Sequence, residues 1–312
     1  MPPVIVVTGA SGFIGTALVA RLAATGRTVV GIDRRPPAVL DRGTPHVVAD
    51  LADDDRADVR RLLRDAEVVV HLAARPGVRD RSPGVERARY RDNVVATRRV
   101  LHAAGGAVIA ASSSSVYGGA DGGRPCHEDD PRRPIGGYAR SKARAEDLCA
   151  HHRAGGGAVC VVRPFTVVGP GQRADMAIDR WLRAALDARP IDVFGALQRS
   201  RDVTDVRDVT RALAQLVERA CAGDVLPGVL NLGTGRGRTL AELLAAVQRA
   251  VPRPVAVRVV DNGEREPDHT LADTTRCAAT LGWVPRTDLD GVVDRQLAAL
   301  TAAPSRLVAR GA

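Results

Sequence analysis

The chain has 312 residues, of which 45% are hydrophobic and 26% are charged, proportions that are typical of a globular protein and exclude an intrinsically disordered one. Its formal net charge is +9, but the arginines are spread along the chain and alternate with Asp and Glu rather than with aromatic residues, so we expect no nucleic-acid partner. No apolar run approaches the roughly 20 residues of a membrane span, and no secretory leader precedes the first predicted strand. The five cysteines are far apart and lack metal-site spacing, so we expect reduced thiols and no metal. These features predict a cytoplasmic protein without a membrane partner.

The first half of the chain alternates short apolar runs with amphipathic segments, which is the pattern of a parallel sheet with crossover helices. In chain order, the pattern predicts strands at 4–8, 28–33, 47–50, 67–72, 107–112 and 159–163, with helices between them at 13–24, 55–65, 85–104 and 138–153. The alternation then loosens, with helices predicted at 174–188, 206–219 and 240–250 and short strands at 192–194, 228–232 and 255–260. We expect an α/β fold with a Rossmann-type doubly wound parallel sheet in residues 1–165, returns to that sheet near 192–232, and a smaller substrate-binding subdomain mainly in 166–312.

A glycine-rich segment, TGASGFIG at residues 8–15, joins the first predicted strand to the first helix. Gly9 permits a tight turn, Gly12 lets the backbone approach a pyrophosphate, and Gly15 lets helix and strand pack closely, while the helix N-terminus offers free N–H groups to the anion. The context of strand, loop and helix predicts a dinucleotide site.

Asp33 closes the second strand about 20 residues further on, where a carboxylate binds the ribose 2′-hydroxyl of a dinucleotide and repels the 2′-phosphate of NADP. We therefore expect NAD as the cofactor. Arg34 and Arg35 follow at once and could hold a 2′-phosphate, so NADP stays open as the alternative.

A tyrosine and a lysine four residues apart, Tyr138 and Lys142, fall on one face of a predicted helix. Lys142 is the only lysine among the 45 Lys and Arg residues, which suggests that a compact ammonium is required there. A cation beside a phenol favours the phenolate, which is a usable general base. The serine run at 112–115, at the end of the fifth predicted strand, supplies hydroxyl groups to the same cleft.

Several motifs together resemble the extended short-chain dehydrogenase/reductase family, which comprises nucleotide-sugar epimerases and dehydratases. The motifs are TGASGFIG, HLAA, SSSSVYG, YARSK, RPFTVVGPGQ, RDVTDVRDV, NLGTG and LGWVP. They run from about residue 4 to residue 290, so the resemblance covers nearly the whole chain. It implies that the sheet half binds NAD and that the C-terminal part binds the nucleotide diphosphate of a sugar.

The resemblance also implies roles for individual residues. Tyr138 resembles the catalytic base, Lys142 the residue that holds the nicotinamide ribose and tunes the phenol, and Ser113 the hydroxyl that bridges Tyr138 and the sugar 4-OH. Asn93 and Pro164 resemble supports of the cofactor pocket. The predicted cofactor-binding residues lie in the glycine segment, at strand ends and around the catalytic pair: Gly9, Ser11, Gly12, Phe13, Ile14, Gly15, Asp33, Asp50, Leu51, Leu72, Ala73, Ala74, Asn93, Tyr138, Lys142 and Pro164. The predicted substrate-binding residues are hydroxyl and guanidinium side chains: Arg79, Ser114, Ser115, Thr166, Arg173, Arg201 and Arg265.

Among the reactions of this family, the sequence favours 4-epimerisation, in which C4 is transiently oxidised to a ketone and reduced again on the opposite face. Dehydratases of the family usually carry an Asp-Glu pair where Ser114 and Ser115 stand here, which disfavours dehydration. Dehydration or 4-ketoreduction is therefore kept as the alternative reaction. A non-catalytic NAD-binding regulatory protein is a third class, although such proteins usually lose the Tyr-Lys pair.

The expected substrate is a UDP-hexose or a UDP-hexuronate. Arg201 and Arg265 resemble a clamp on the diphosphate, a role suited to forked donors. Ser114, Ser115, Thr166, Arg79 and Arg173 would suit a C6 carboxylate. The resemblance further implies a homodimer through the helices at 85–104 and 138–153.

Overall fold

Strands and helices alternate because runs of β-branched residues, which favour extended backbone, are separated by segments with one apolar face. The computed structural model describes residues 4–37, 43–53, 56–261 and 266–302. The strands are β1 (Val4–Thr8), β2 (Thr28–Asp33), β3 (His46–Val48), β4 (Val68–His71), β5 (Ala107–Ala111), β6 (Val159–Pro164), β7 (Thr166–Val168), β8 (Ile191–Phe194), β9 (Ser200–Asp205), β10 (Val229–Leu232), β11 (Gly237–Thr239) and β12 (Val257–Val260). The α-helices are α1 (Phe13–Ala24), α2 (Ala57–Asp65), α3 (Val85–Arg89), α4 (Ala96–Ala103), α5 (Gly136–Ala154), α6 (Ala177–Leu186), α7 (Val206–Cys221), α8 (Leu240–Ala250), α9 (Thr275–Leu281) and α10 (Leu289–Ala302).

The main sheet has seven strands in the described part of the chain, in the order β10-β6-β5-β4-β1-β2-β3, and every pair in it is parallel. Buried residues of α1 and α7 pack on one face, for example Leu22 and Leu213, and residues of α2, α4 and α5 pack on the other. The chain builds outward from β1 in one direction and then returns to build from β4 in the other, which leaves a crevice at the carboxyl ends of these strands. The predicted α/β fold class is confirmed.

The C-terminal part of the chain adds two small sheets and a separate core. β11, β9 and β7 form one sheet and β12 pairs with β8 in the other. Buried side chains of α6, α8 and α10 pack together with β8 in this region, among them Trp181, Leu243 and Val292. Within the range 192–232, where a return to the main sheet was expected, β10 joins that sheet, whereas β8 pairs with β12 among the described residues.

The helix predicted at 85–104 contains a π-helical segment, Tyr90–Val95, between α3 and α4. Such segments insert one extra residue into a helix and often lie at functional sites. Here the segment carries Asp92 and Asn93, both buried, toward the carboxyl edge of the sheet. Among the helices that can be described, none is both long and apolar enough to cross a membrane.

Candidate functional site

A cleft of about 920 Å³ runs along the carboxyl edge of the main sheet and continues between that sheet and the C-terminal core. All but two of the predicted site residues line it. The exceptions are Asn93, which lies beneath its wall, and Arg265, which is outside the described residues. The fold therefore brings together predicted site residues that are as far apart along the chain as Gly9 and Arg201.

The glycine turn at the start of the cleft needs its glycines for two different reasons. Gly9 has φ +69°, and a Cβ there would lie 2.7 Å from the backbone N of Ala73, so the turn touches the end of β4. A Cβ on Gly15 would lie 2.1 Å from Gly9 O, so only glycine lets α1 pack on the turn. The N-terminus of α1 has no side-chain cap, which leaves its N–H groups available to a pyrophosphate. The turn therefore fits a dinucleotide.

Asp33 is buried at the end of β2, and its carboxylate is held by the loop around it. Ser11 N donates to Oδ2 at 3.1 Å and Arg35 N donates to Oδ1 at 3.0 Å. The Arg35 side chain turns to Ser11 O, with Nη2 at 3.0 Å. A fixed carboxylate at this place accepts ribose hydroxyl groups and disfavours a 2′-phosphate.

Asp50 and Leu51 line the cleft beyond β3. Asp50 is a charged acceptor: partial burial opposes ionisation, but hydrogen bonds from Arg91 and from Ala52 N lower its pKa below the usual range. Leu72, Ala73 and Ala74 follow β4 and also line the cleft. The cofactor end of the cleft therefore combines a charged acceptor with apolar side chains.

Asn93 is buried behind the wall of the cleft and does not line it, so its predicted support of the cofactor pocket would be indirect. Its Oδ1 accepts from Arg75 N at 2.6 Å, and its Nδ2 donates to Ser141 Oγ at 2.8 Å. Ser141 Oγ in turn donates to the backbone O of Tyr138 at 2.7 Å. Asn93 therefore ties the π-helical segment to the first turn of α5, where Tyr138 stands.

His71 ends β4 inside the protein and is excluded as a catalytic acid or base. Its ring nitrogens contact Thr8 Oγ1 at 2.8 Å and Thr97 Oγ1 at 3.0 Å. Burial, together with the charge of Lys142, lowers the pKa of His71 to about 3. The ring is therefore neutral at physiological pH.

Lys142 lies inside the cleft wall, with 6% of its surface exposed, and its ammonium donates to Ala111 O at 2.8 Å, at the end of β5. Burial lowers the pKa of Lys142 from 10.5 to about 8, while the nearby Cys149 and Glu146 oppose the shift. The group is therefore a cation at pH 7 that loses its proton as the pH rises through about 8.

Tyr138 is partly buried on the same face of α5 and lines the cleft. Burial raises the pKa of its phenol, although a hydrogen bond with Ser113 and the charges of Arg173 and Arg89 act in the opposite direction. The main influences on the pKa of the phenol are therefore burial, Ser113 and two arginines, and the tuning of the phenol by Lys142 stays a prediction.

The serine run lies in a 3-10 turn after β5, at Ser114–Tyr117. Ser113 caps this turn by accepting from Ser115 N at 3.2 Å. Ser115 Oγ is buried and has no hydrogen-bond partner among the residues that the structure describes. Pro164 and Thr166, at the end of β6 and the start of β7, face the same part of the cleft. This part presents hydroxyl groups around Tyr138.

The far end of the cleft contains a group of arginines around one carboxylate. Glu266 accepts from Arg79 Nε at 2.5 Å and from Arg201 Nη2 at 3.2 Å. Partial burial opposes ionisation of Glu266, but Arg79 and then Arg201 lower its pKa. The Arg180 guanidinium lies over the Phe194 ring at 4.1 Å, and the Arg79 guanidinium lies 5.4 Å from the same ring. A cluster of guanidinium groups of this kind can bind a polyanion.

Arg173 lines the cleft nearer to Tyr138, and its guanidinium forms two bonds to Asp175, with Nε at 2.8 Å and Nη2 at 2.7 Å. Asp175 is more than half exposed, so a buried anion could compete with it for Arg173.

Sequence reasoning missed Glu266, Arg180 and Phe194. All three come from segments without a recognisable motif. The one signal for Glu266 was its place beside Arg265, where an acid next to a predicted anion clamp was unexplained.

Comparisons with known proteins agree with this geometry. The model of the NAD dependent epimerase/dehydratase family matches residues 5–233. A probable UDP-glucuronate 4-epimerase of Rhizobium meliloti is 30% identical over 93% of this chain and 94% of its own length. The solved structure of MoeE5 in complex with UDP-glucose and NAD is 37% identical, with a TM-score of 0.84 over 95% of this chain and 98% of that chain. A UDP-glucuronic acid 4-epimerase from Bacillus cereus, in complex with UDP-glucuronic acid and NAD, is 27% identical, with a TM-score of 0.87 over 96% and 99%.

The family match covers more than half of the chain, and the glycine turn, Asp33 and the Tyr138–Lys142 pair line one cleft. The chain is a member of the NAD dependent epimerase/dehydratase family, and its cofactor is NAD.

Proposed function

We propose that the protein is a nucleotide-sugar 4-epimerase that acts on a UDP-hexose or a UDP-hexuronate. The observation that carries this proposal is the single cleft in which the NAD-binding turn, the Ser113–Tyr138–Lys142 group and the arginines around Glu266 all lie. Tyr138 stands between the two ends, so a nucleotide sugar with its diphosphate at the arginines has room to place its sugar at the phenol.

The proposed chemistry begins with proton removal from the sugar 4-hydroxyl by Tyr138. Bound NAD supplies the hydride acceptor and donor and a positive charge, which favours the phenolate. Ser113, already bonded to Tyr138, shares the proton of the 4-hydroxyl, and the Lys142 ammonium would hold the nicotinamide ribose. The proton returns from Tyr138 when C4 is reduced on its other face. No second substrate is consumed.

Dehydration is less well supported by the cleft. Eliminating water from the 4-keto sugar requires an acid and a base beside C5 and C6. Ser114 and Ser115 stand where such a pair is expected. Of the carboxylates that line the cleft, Asp33, Asp50 and Asp92 lie beside the cofactor turn and Glu266 is on Arg79, while Asp175 is bound by two hydrogen bonds from Arg173. A hydroxyl group is a poor acid at neutral pH, so the ketone is more readily reduced than dehydrated.

Two sets of donors support the substrate class. Arg201 and Arg79 would hold the diphosphate in place of Glu266, because charge-assisted bonds to phosphate are stronger than those to a single carboxylate. Ser114, Ser115, Thr166 and Arg173 would surround C6 of the sugar, and the unpartnered Ser115 Oγ favours an acceptor there. The relatives named for UDP-glucuronate make the hexuronate the first substrate to test.

The proposal predicts the fate of the sugar hydrogens in heavy water. The protein is incubated in D₂O with UDP-glucuronate, UDP-glucose and UDP-N-acetylglucosamine, without added NADH, and the products are followed by proton NMR. We expect the C4 isomer of one of these sugars at equilibrium with no deuterium on carbon, because the hydride stays on the cofactor. Deuterium at C5 of a stable 4-keto-6-deoxy product would indicate dehydration, because C5 is reprotonated from the solvent while C6 receives the hydride, and no turnover of any sugar would support a non-catalytic protein.

We also propose that the protein is a homodimer through α3, α4 and α5, which pack side by side. Tyr90 and Ile135, on or next to these helices, are 46% and 49% exposed, so both side chains are accessible to a partner chain at this face. Sedimentation equilibrium is expected to give twice the chain mass of 32.9 kDa, and Tyr90→Asp is expected to shift the protein toward one chain mass. A single-chain mass for the unmodified protein at micromolar concentration would contradict the dimer.

A further inference from the structure

A buried carboxylate of the π-helical segment, Asp92, faces the part of the cleft next to Asp33. It is 6% exposed, and it lines the cleft together with Arg34 and Arg35. The proposed reaction gives it no task, because it lies on the cofactor side of the cleft, bonded to Arg34.

Three guanidinium groups converge on Asp92. Its Oδ2 accepts from Arg75 Nε at 2.9 Å and from Arg34 Nη1 at 3.2 Å, and its Oδ1 accepts from Arg91 Nη1. Arg91 has further carboxylate partners in Asp50 and Asp53. Arg34 forms its ion pair with Asp92 in the described part of the chain, and its charge also acts on Asp50 from a greater distance.

Arg34 and Arg35 directly follow Asp33, at the place where dinucleotide-binding proteins that accept NADP supply an arginine to the 2′-phosphate. Here both guanidinium groups are directed elsewhere. Arg35 Nη2 bonds to Ser11 O, and its Nε lies 3.6 Å from Asp33. The Arg34 guanidinium is drawn to Asp92, although 44% of its side chain is exposed and could reach other positions.

We propose that Asp92 is a determinant of cofactor specificity, which keeps Arg34 away from the 2′-phosphate of NADP. Asp33 repels that phosphate directly, and Asp92 withholds one of the two adjacent arginines, Arg34, that could compensate. Two carboxylates from distant parts of the chain thus act on the same phosphate group, one at the end of β2 and one on the π-helical segment. The inference concerns cofactor binding, so it does not depend on which sugar reaction the protein performs.

The test measures NAD⁺ and NADP⁺ binding to the full-length chain, freed of copurified cofactor, by isothermal titration calorimetry. Asp92→Asn is expected to tighten NADP⁺ binding on the order of tenfold relative to NAD⁺ binding, the size of one partly exposed charge-assisted hydrogen bond. Asp53→Asn is the matched control, because Asp53 also binds Arg91 but contacts neither Arg34 nor the cleft. It is expected to leave the ratio of the two affinities unchanged.

A second pair of variants assigns the effect to Arg34. In Asp92→Asn/Arg34→Ala, the gain in NADP⁺ affinity is expected to disappear, and Arg34→Ala alone is expected to change NADP⁺ affinity less than twofold, because the unmodified protein withholds this side chain. The proposal is overturned if Asp92→Asn melts as the unmodified protein does but keeps its ratio of affinities, or if the gain survives in the double variant. If Asp92→Asn does not fold, the single Arg34→Ala variant decides: a clear loss of NADP⁺ affinity would show that Arg34 is already available and would also overturn the proposal.

Discussion

Tyr138→Phe is expected to abolish turnover while NAD remains bound. Removing a general acid–base group costs on the order of 10²–10⁴ in rate, and the structure offers no substitute: His71 is neutral and buried away from the cleft, and the Ser113 hydroxyl is bonded to the phenol itself. The ring of phenylalanine fills the same space, so the fold is expected to persist. The measurement is the initial rate of C4 isomer formation, together with the NAD content of the purified variant.

Tyr117→Phe is the matched control for this variant. Tyr117 is the last residue of the 3-10 turn and is 5% exposed. Its hydroxyl donates to Asn231 Oδ1 at 2.7 Å and accepts from Arg163 Nη1 at 2.8 Å. Losing these buried bonds is expected to lower the free energy of unfolding by about 1–3 kcal/mol, with the rate at a temperature where both proteins are folded changed far less than in Tyr138→Phe. A Tyr138→Phe protein with substantial activity would remove Tyr138 from the role of base.

The elements that the sequence predicts most accurately are those with local signals. β1, α1, β2 and α8 begin and end at the predicted residues. The glycine turn fixes the end of β1 and the start of α1. Helix α8 starts at a capping box in which the side chains of Thr239 and Glu242 each bond the other residue's backbone N–H. Such signals depend only on neighbouring residues, so they can be found without knowledge of the rest of the fold.

Features that arise from the approach of distant segments could not be found in this way. The partner of β8 is β12, about 65 residues later in the chain, and no pattern in 192–194 distinguishes that pairing from a place in the main sheet. The short strands β7 and β9 were not predicted, because their pairing with each other, and not their composition, makes them extended. Glu266 reaches Arg79 across 187 positions.

The Tyr138–Lys142 pair shows that a motif can predict where two side chains lie but not what they contact. The spacing of Tyr138 and Lys142 correctly placed both in one cleft. The spacing could not reveal what each side chain touches. Burial and Ser113 dominate the pKa of Tyr138, and Lys142 bonds the end of β5. The electrostatics of a site depend on its three-dimensional surroundings, which a spacing of four residues does not encode.

Lys142→Arg is expected to lower the rate on the order of a hundredfold or more, even though the charge is kept and arginine is the residue used at every other Lys or Arg position. The site is nearly closed to solvent, and the ammonium bonds Ala111 O at 2.8 Å. A planar guanidinium is larger and carries five donors, so it would displace α5 or β5, and a displacement of about 1 Å can cost 100-fold in rate. Lys142→Met, which keeps the length of the side chain without charge, is the matched comparison. If Lys142→Arg is as active as the unmodified protein while Lys142→Met is inactive, charge alone matters and the argument from shape is wrong.

The same residue can be observed directly, because a protein grown with [ε-¹³C]lysine carries a single labelled side chain. The NMR signal of Lys142 is expected to titrate with a pKa of about 8, since burial disfavours the ammonium. The sign follows from this shift: the cation that would hold the cofactor ribose is present below about pH 8 and is lost above it, so an ammonium-dependent rate falls as the pH rises through that value. A signal that titrates near 10.5 would place the ammonium in water, outside the wall of the cleft, and would remove the physical reason for a lysine at this position.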